Sequence, residues 1–419
     1  MKSKLESILY TLYPYILVLL SFSIPISYRI SIYALGFLTL IGIILIIYNH
    51  NFYYITRNKV SIGLIVFWLI HLLSFFYTEN LKYGLSDISQ KISILVIPLV
   101  LFSSLVDEKL IIRIKKAFVL SLLASSIYFI LRALISSLVI TPVGVFFRPN
   151  PVGIPWENYF FYDLFVRPHH PTYYSMYLVL GITFLLGDVR KKTVFKNKWL
   201  IYLITLYFIG VVFLTSSKAG IITTFLVLFT ILFWLLRSKG KLILSVALTI
   251  FLVLGILFVV KNNRFIDTIK HLHELSFNEK LVENDLAQKD LVRLEIWRSV
   301  PSAFSGLDLI YGVGVGDTKT CLKNAYKSKN AIYAFNEELN THNQYLQTLV
   351  GIGIIGLLIL VSIIGYCFYL AFKKRDLILF SFILIISINF IFEAVLERVF
   401  GVLFFTFFLI LLTNKSSKV

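Results

Sequence analysis

Polar residues in this chain fall in short clusters between long apolar runs, and the lengths of those runs set the first expectation. About twelve runs, near 9–27, 31–48, 60–77, 91–106, 117–139, 171–187, 199–214, 219–236, 242–260, 345–371, 377–392 and 399–413, approach or exceed the ~17 to 25 residues that carry a helix across ~30 Å of hydrocarbon. Backbone polar groups cannot go unpaired in lipid, so these runs predict helices. The alternating pattern of an outer-membrane barrel is absent from the sequence. The expected fold class is therefore all-α: a polytopic transmembrane protein of about twelve spans with a partly helical outer loop. The organisation read from the pattern is helices one to nine over 1–260, with an outer excursion at 141–170. A large outer loop follows over 261–343, then helices ten to twelve and a tail over 344–419.

Composition agrees with that reading. The 419 residues are 58% hydrophobic and 16% aromatic, more apolar surface than a soluble core of this length needs. The mean hydropathy is +0.84. A net charge of +18 could point to nucleic acid, but the Lys and Arg gather in short runs such as "VRKKTVFKNK" and "FKKRD" between predicted spans. These runs all fall on one side once the N-terminus is placed inside, which is the positive-inside pattern; both termini are then expected in the cytoplasm. The 261–343 loop carries acidic and basic residues in equal number, so no nucleic-acid surface is expected. The first apolar run lacks a small-residue cleavage site and is read as a retained span. Cys321 falls in the outer loop and Cys367 inside a span, so no disulfide is expected between them.

The large loop is too long for a plain connection. In "DLVRLEIWRSVPSAF", Leu294, Trp297 and Val300 recur at helical spacing, with an entry turn over 290–294 and Pro301 marking the end. "IYGVGVGDTKT" follows and reads as a glycine-rich turn. It lacks the strand–helix context of a nucleotide loop. No internal repeat of 20 to 50 residues is evident, so the transporter architectures built on repeats find no support.

Candidate chemistry lies at the outer ends of spans, where the positive-inside pattern disfavours cations. Arg167, His169 and His170 precede the sixth span, Lys218 sits between the seventh and eighth, and His342 precedes the tenth. An anionic ligand at the outer surface is one reason to place them there. In "NTHN", Asn340 or Thr341 is the expected N-cap, which puts His342 in the first helical turn. The positive end of that helix disfavours protonation, so His342 fits either a capping residue or a general base. Arg293 lies four residues before Trp297, on the same face. It fits a surface ion pair with Glu295 or Asp290, or a guanidinium fork for a diphosphate. Lys218 fits a snorkelling lysine or a phosphate-facing charge. Glu393 and Arg398 are expected to pair across the last outer turn. "RPHHP" and "HLH" offer no metal-ligand spacing, and neither a metal nor a cofactor is expected.

The order "RPHHPTYYS", "TSSKAG", "RLEIW", "GVGVG" and "THNQYLQTLVGIGIIGLLILV" resembles the O-antigen ligase and polymerase superfamily of bacterial membrane glycosyltransferases, over roughly 165–410. The resemblance implies a twelve-helix enzyme of the inner membrane with its active site on the periplasmic face. It would take a glycan from an undecaprenyl-diphosphate carrier, without nucleotide or metal, and pass it to a hydroxyl of lipid A-core, inverting the anomeric centre. The same resemblance covers an O-antigen or exopolysaccharide polymerase and a protein O-oligosaccharyltransferase; a lipid-linked-glycan transporter is the reading from a different class. It implies His342 as the catalytic base and Arg293 as the diphosphate-binding residue. Lys218 stands where the family often has a second arginine, and Arg167 and His170 match the polar start of the sixth span as substrate-proximal residues.

Overall fold

The computed structural model describes residues 2–49, 58–101, 106–151, 157–187, 189, 194–236 and 285–417. Among them the chain is mostly helical. Five helices are long and apolar enough to cross a membrane: Glu6–Ser23, Tyr28–Tyr48, Glu108–Ser136, Lys198–Thr215 and Gln344–Lys373. Lys59–Phe75, Lys218–Trp234, Leu377–Phe392 and Val399–Asn414 are shorter apolar helices. Together these features describe a multi-pass membrane protein. The expected ninth span, 242–260, lies outside the described residues, as does the first part of the 261–343 loop.

Local sequence explains where many of these helices begin. Asn58, Asp107, Asn197, Asn343 and Asp376 each accept a backbone N–H from the first turn of the helix that follows. Such a cap satisfies a donor that has no partner inside the helix. Pro171–Gly187 is buried along almost its whole length and packs against the Lys198–Thr215, Lys218–Leu236 and Leu377–Phe392 helices.

The expected span at 91–106 takes a different form. Its helix, Ile92–Val100, has nine residues and is about 14 Å long, less than half a bilayer core. A separate ten-residue helix, Leu81–Gln90, precedes it, and the two are divided at Lys91. Lys91 is buried and ion-paired to Asp87 and Glu397, so the division coincides with a charge cluster.

Two regions expected on the outer side differ in the structure from what the sequence pattern predicts. The 141–170 excursion begins in an antiparallel hairpin, Leu138–Thr141 with Gly144–Phe147, a small strand element among mostly helical described residues. The described part of the large loop has its own apolar cluster, including Val292, Ile296, Val300, Leu322 and Tyr326. Its main helix, Asp285–Ser299, starts earlier than expected and buries Val292 and Ile296, leaving Leu294 half-buried outside that face. The helix passes into a 3-10 turn at Val300–Ala303, which contains Pro301.

The glycine-rich turn locks this loop onto the membrane helices. Val313 N–H donates to Val350 O at 2.9 Å, and Gly314 N–H donates to Gly351 O at 3.1 Å. These bonds meet the Gln344–Lys373 helix where it breaks, at Ile352 and Gly353. Gly353 has φ +68°, and a Cβ there would stand 2.1 Å from Ile310 O. Asp317 fastens the other end, accepting from Thr78 Oγ1 at 3.0 Å, Glu79 N–H at 2.8 Å and Asn80 N–H at 3.0 Å. The turn is thus bound to protein backbone.

Candidate active site

His342 sits in a tight turn just before the Gln344–Lys373 helix, with φ +44°. The N-cap is Asn343, whose side chain accepts from Leu346 N–H at 3.0 Å. His342 therefore precedes the helix, which corrects the expected placement in its first turn. The physical reason is local: Asn340 Oδ1 takes the His342 N–H at 2.9 Å, and Thr341 is drawn inward by Gln347 and by the Asn343 carbonyl. With 340 and 341 committed to the turn, the next Asn caps.

The ring of His342 faces a carboxylate. Its Nδ1 lies 3.4 Å from Glu393 Oε1 and 3.5 Å from Glu393 Oε2. Glu393 terminates the Leu377–Phe392 helix and is buried, whereas the His342 side chain remains 26% exposed. This overturns the expected Glu393–Arg398 pair: the carboxylate turns to the histidine. A carboxylate on one ring nitrogen fixes ring orientation and leaves the other nitrogen for a reacting proton. Burial works to push the Glu393 carboxyl up, but His342, then His170 and Arg293, outweigh it and hold the carboxyl below its ordinary range.

Arg293 acts on this cluster through charge, and its helix is fastened to it. Four residues on, Trp297 donates its indole N–H to Thr341 O at 2.9 Å, the carbonyl directly before His342. The shared face read from the spacing thus ties the arginine helix to the histidine turn. His170, at the head of the Pro171–Gly187 helix, completes the group. Burial pushes its ring down, Glu393 and Asp163 pull it back up, and His342 and Arg293 push it down again.

Lys218 enters from a neighbouring helix. Ser217 Oγ lies 3.5 Å from Thr172 Oγ1, and Gly220 packs so close to Ser175 that a Cβ would stand 2.2 Å from its Oγ. Asn389 Nδ2 donates to Thr223 Oγ1 at 3.1 Å, near the Glu393 end of its helix and the Lys218 end of the other. Lys218 and Glu393 therefore lie at the same end of the helix group. Arg167 is directed elsewhere: its Nε donates to Asp163 Oδ2 at 2.7 Å, and its side chain is 60% exposed. Of the five candidates, His342 contacts Glu393, His170 and Arg293 act on it through charge, Lys218 stands at the same end of the helix group, and Arg167 pairs with Asp163.

Residues 203–361 match the family model described as O-antigen ligase. This match supports the O-antigen ligase superfamily for the chain. The matched span holds Lys218, Arg293 and His342, whereas His170 and Glu393 lie to either side of it. No curated protein matches the chain. The family is one of glycosyltransferase-like enzymes whose substrates are, in general terms, a lipid-linked glycan and an acceptor. Glu393 was missed in the sequence because its apparent partner, Arg398, was five residues away, while its actual one is 51 residues back.

Proposed function

We propose that the protein is an O-antigen ligase of the bacterial inner membrane, with about twelve spans, cytoplasmic termini and a periplasmic site. It moves a glycan from an undecaprenyl-diphosphate carrier to a sugar hydroxyl of lipid A-core. The observation that carries the reading is the His342–Glu393 pair at 3.4 Å, with the helix of Arg293 bonded through Trp297 to the turn of His342.

In the proposed reaction, Glu393 holds the His342 ring through Nδ1 and leaves Nε2 to accept the proton of the acceptor hydroxyl. The acceptor oxygen bonds to the anomeric carbon as the bond from that carbon to the diphosphate oxygen breaks. Attack opposite the leaving group inverts the centre. The departing diphosphate gains negative charge, which Arg293 neutralises with a planar fork and Lys218 with a point charge. A positioned general base contributes ~10² to 10⁴ in rate, and charge stabilisation at the leaving group adds to it. The hydrophobic carrier lies along the membrane helices and the glycan under the 285–343 loop segment.

The test is deletion in the native host followed by a lipopolysaccharide gel, complemented with wild type or His342→Ala. Loss of the polymer ladder with carrier-linked polymer retained, restored by wild type alone, is the expected result. A single-repeat band in the deletion strain would overturn the ligase assignment in favour of a polymerase.

A further inference from the structure

The outer turn that follows the Leu377–Phe392 helix carries two glutamates facing different partners. Glu393 meets His342. Glu397, four residues on, has its side chain 13% exposed and accepts from Lys91 Nζ at 2.9 Å. Lys91 is only 3% exposed and also pairs with Asp87, one helical turn earlier. Between the two glutamates, Leu396 N–H donates to Gln344 Oε1 at 2.6 Å. Gln344 opens the helix that His342 precedes. The turn is therefore gripped from two sides, by the first residue of the His342 helix and by a lysine from the opposite end of the sequence.

Glu397 and Lys91 share a small polar space with few other groups. A cavity of about 10 Å³ lies beside the pair, lined by His71, Asp87, Lys91, Gln344, Gln347 and Glu397, with room for roughly one water. His71 spends Nδ1 on the Phe67 carbonyl at 2.9 Å. Gln344 and Gln347 are engaged with Leu396 and Thr341. Removing one partner of a buried pair leaves an uncompensated charge, which the structure relieves by moving the survivor toward water. For Glu397 that movement displaces the turn, and Glu393 is on the same turn.

We infer that Lys91 is a positioning residue for the transfer site: through its ion pair with Glu397 it holds the 393–398 turn so that Glu393 faces His342. The inference rests on the proposed role of His342. Lys91 itself touches no reacting atom and lies outside the span matched by the family model.

The test follows the His342 ring directly, by NMR of full-length, ¹⁵N-histidine-labelled protein in lipid nanodiscs at one fixed pH. His342→Gln assigns the ring resonances by their loss. Glu393→Gln shifts those ¹⁵N resonances, because Nδ1 loses its carboxylate neighbour. Lys91→Met shifts them in the same direction, and Lys91→Arg leaves them in place. Lys91→Met resonances that superimpose on wild type overturn the inference. Where Lys91→Met does not fold, Glu397→Gln, which keeps the side chain's size, decides by the same shift. Transfer assays run alongside separate the two ideas. Full transfer by His342→Ala sinks the functional reading, whereas loss of transfer in His342→Ala with unmoved Glu397→Gln resonances sinks the positioning role alone.

Discussion

Trp297 donates its indole N–H to the carbonyl of Thr341 at 2.9 Å, joining the helix that carries Arg293 to the turn that carries His342. The two residues are 44 apart in sequence, and the bond holds the Arg293 helix against the His342 turn. Trp297→Phe keeps the apolar ring and removes the donor. A hydrogen bond of this kind is worth about 1 kcal/mol, so transfer is expected to fall roughly 5-fold, chiefly through a higher KM for the lipid-linked donor. Steady-state kinetics with donor varied at fixed acceptor measure it; an unchanged KM would show that the bond does not position Arg293.

Arg293 is expected to resist conservative replacement. A planar fork can bind two phosphate oxygens at once, and a lysine cannot. Arg293→Ala should lower transfer by ~10² to 10³, and Arg293→Lys should recover only a small part. Full recovery by lysine would mean that charge alone matters there.

Glu393→Gln keeps the side chain's shape and removes its charge. The expected result is a kcat lower by ~10-fold with donor KM little changed, since ring orientation is impaired and donor contacts are not. An unchanged kcat would contradict the pairing.

Stability should also follow Glu393. Its folded carboxyl lies below the ordinary value of 4.5, so the unfolded chain takes the proton first as pH falls. The contribution is complete above that value and lost progressively below it. Thermal melts of Glu393→Gln and wild type should differ more at neutral pH than below about pH 4. The Glu338 carboxyl, held down to about 2 by Lys319 and Lys323, gives the same sign in the large loop. Hydrogen-exchange protection over Thr318–Ser328, taken relative to the intrinsic exchange rate at each pH, should fall as the pH drops from 4.5 toward 2.

Gly353 supports the site from below. Any side chain there meets Ile310 O and must hold φ +68°. Gly353→Ala is expected to cost about 1 to 3 kcal/mol and to loosen the loop from the helix break. A melt in detergent reads the stability, and protease sensitivity of 285–343 reads the loosening.

Much of the helical plan was legible because it rests on short-range physics. An apolar run of sufficient length must pair its own backbone in lipid, and an Asn or Asp before it supplies a cap; Asn58, Asp107 and Asp376 can all be read this way. The spacing of Arg293 and Trp297 placed both on one face for the same reason. His342 was legible as a polar residue at the mouth of a span, but not its cap position, which depends on Gln347 reaching back to Thr341. The division at Lys91, the hairpin after Ser136 and the partners of Glu393 and Glu397 belong to the tertiary structure. Glu393 meets a histidine 51 residues away, and Glu397 a lysine 306 residues away. Periodicity says which residues share a helix face; only the packing of helices against one another decides which faces meet, and buried charges take whichever partner that packing brings within reach.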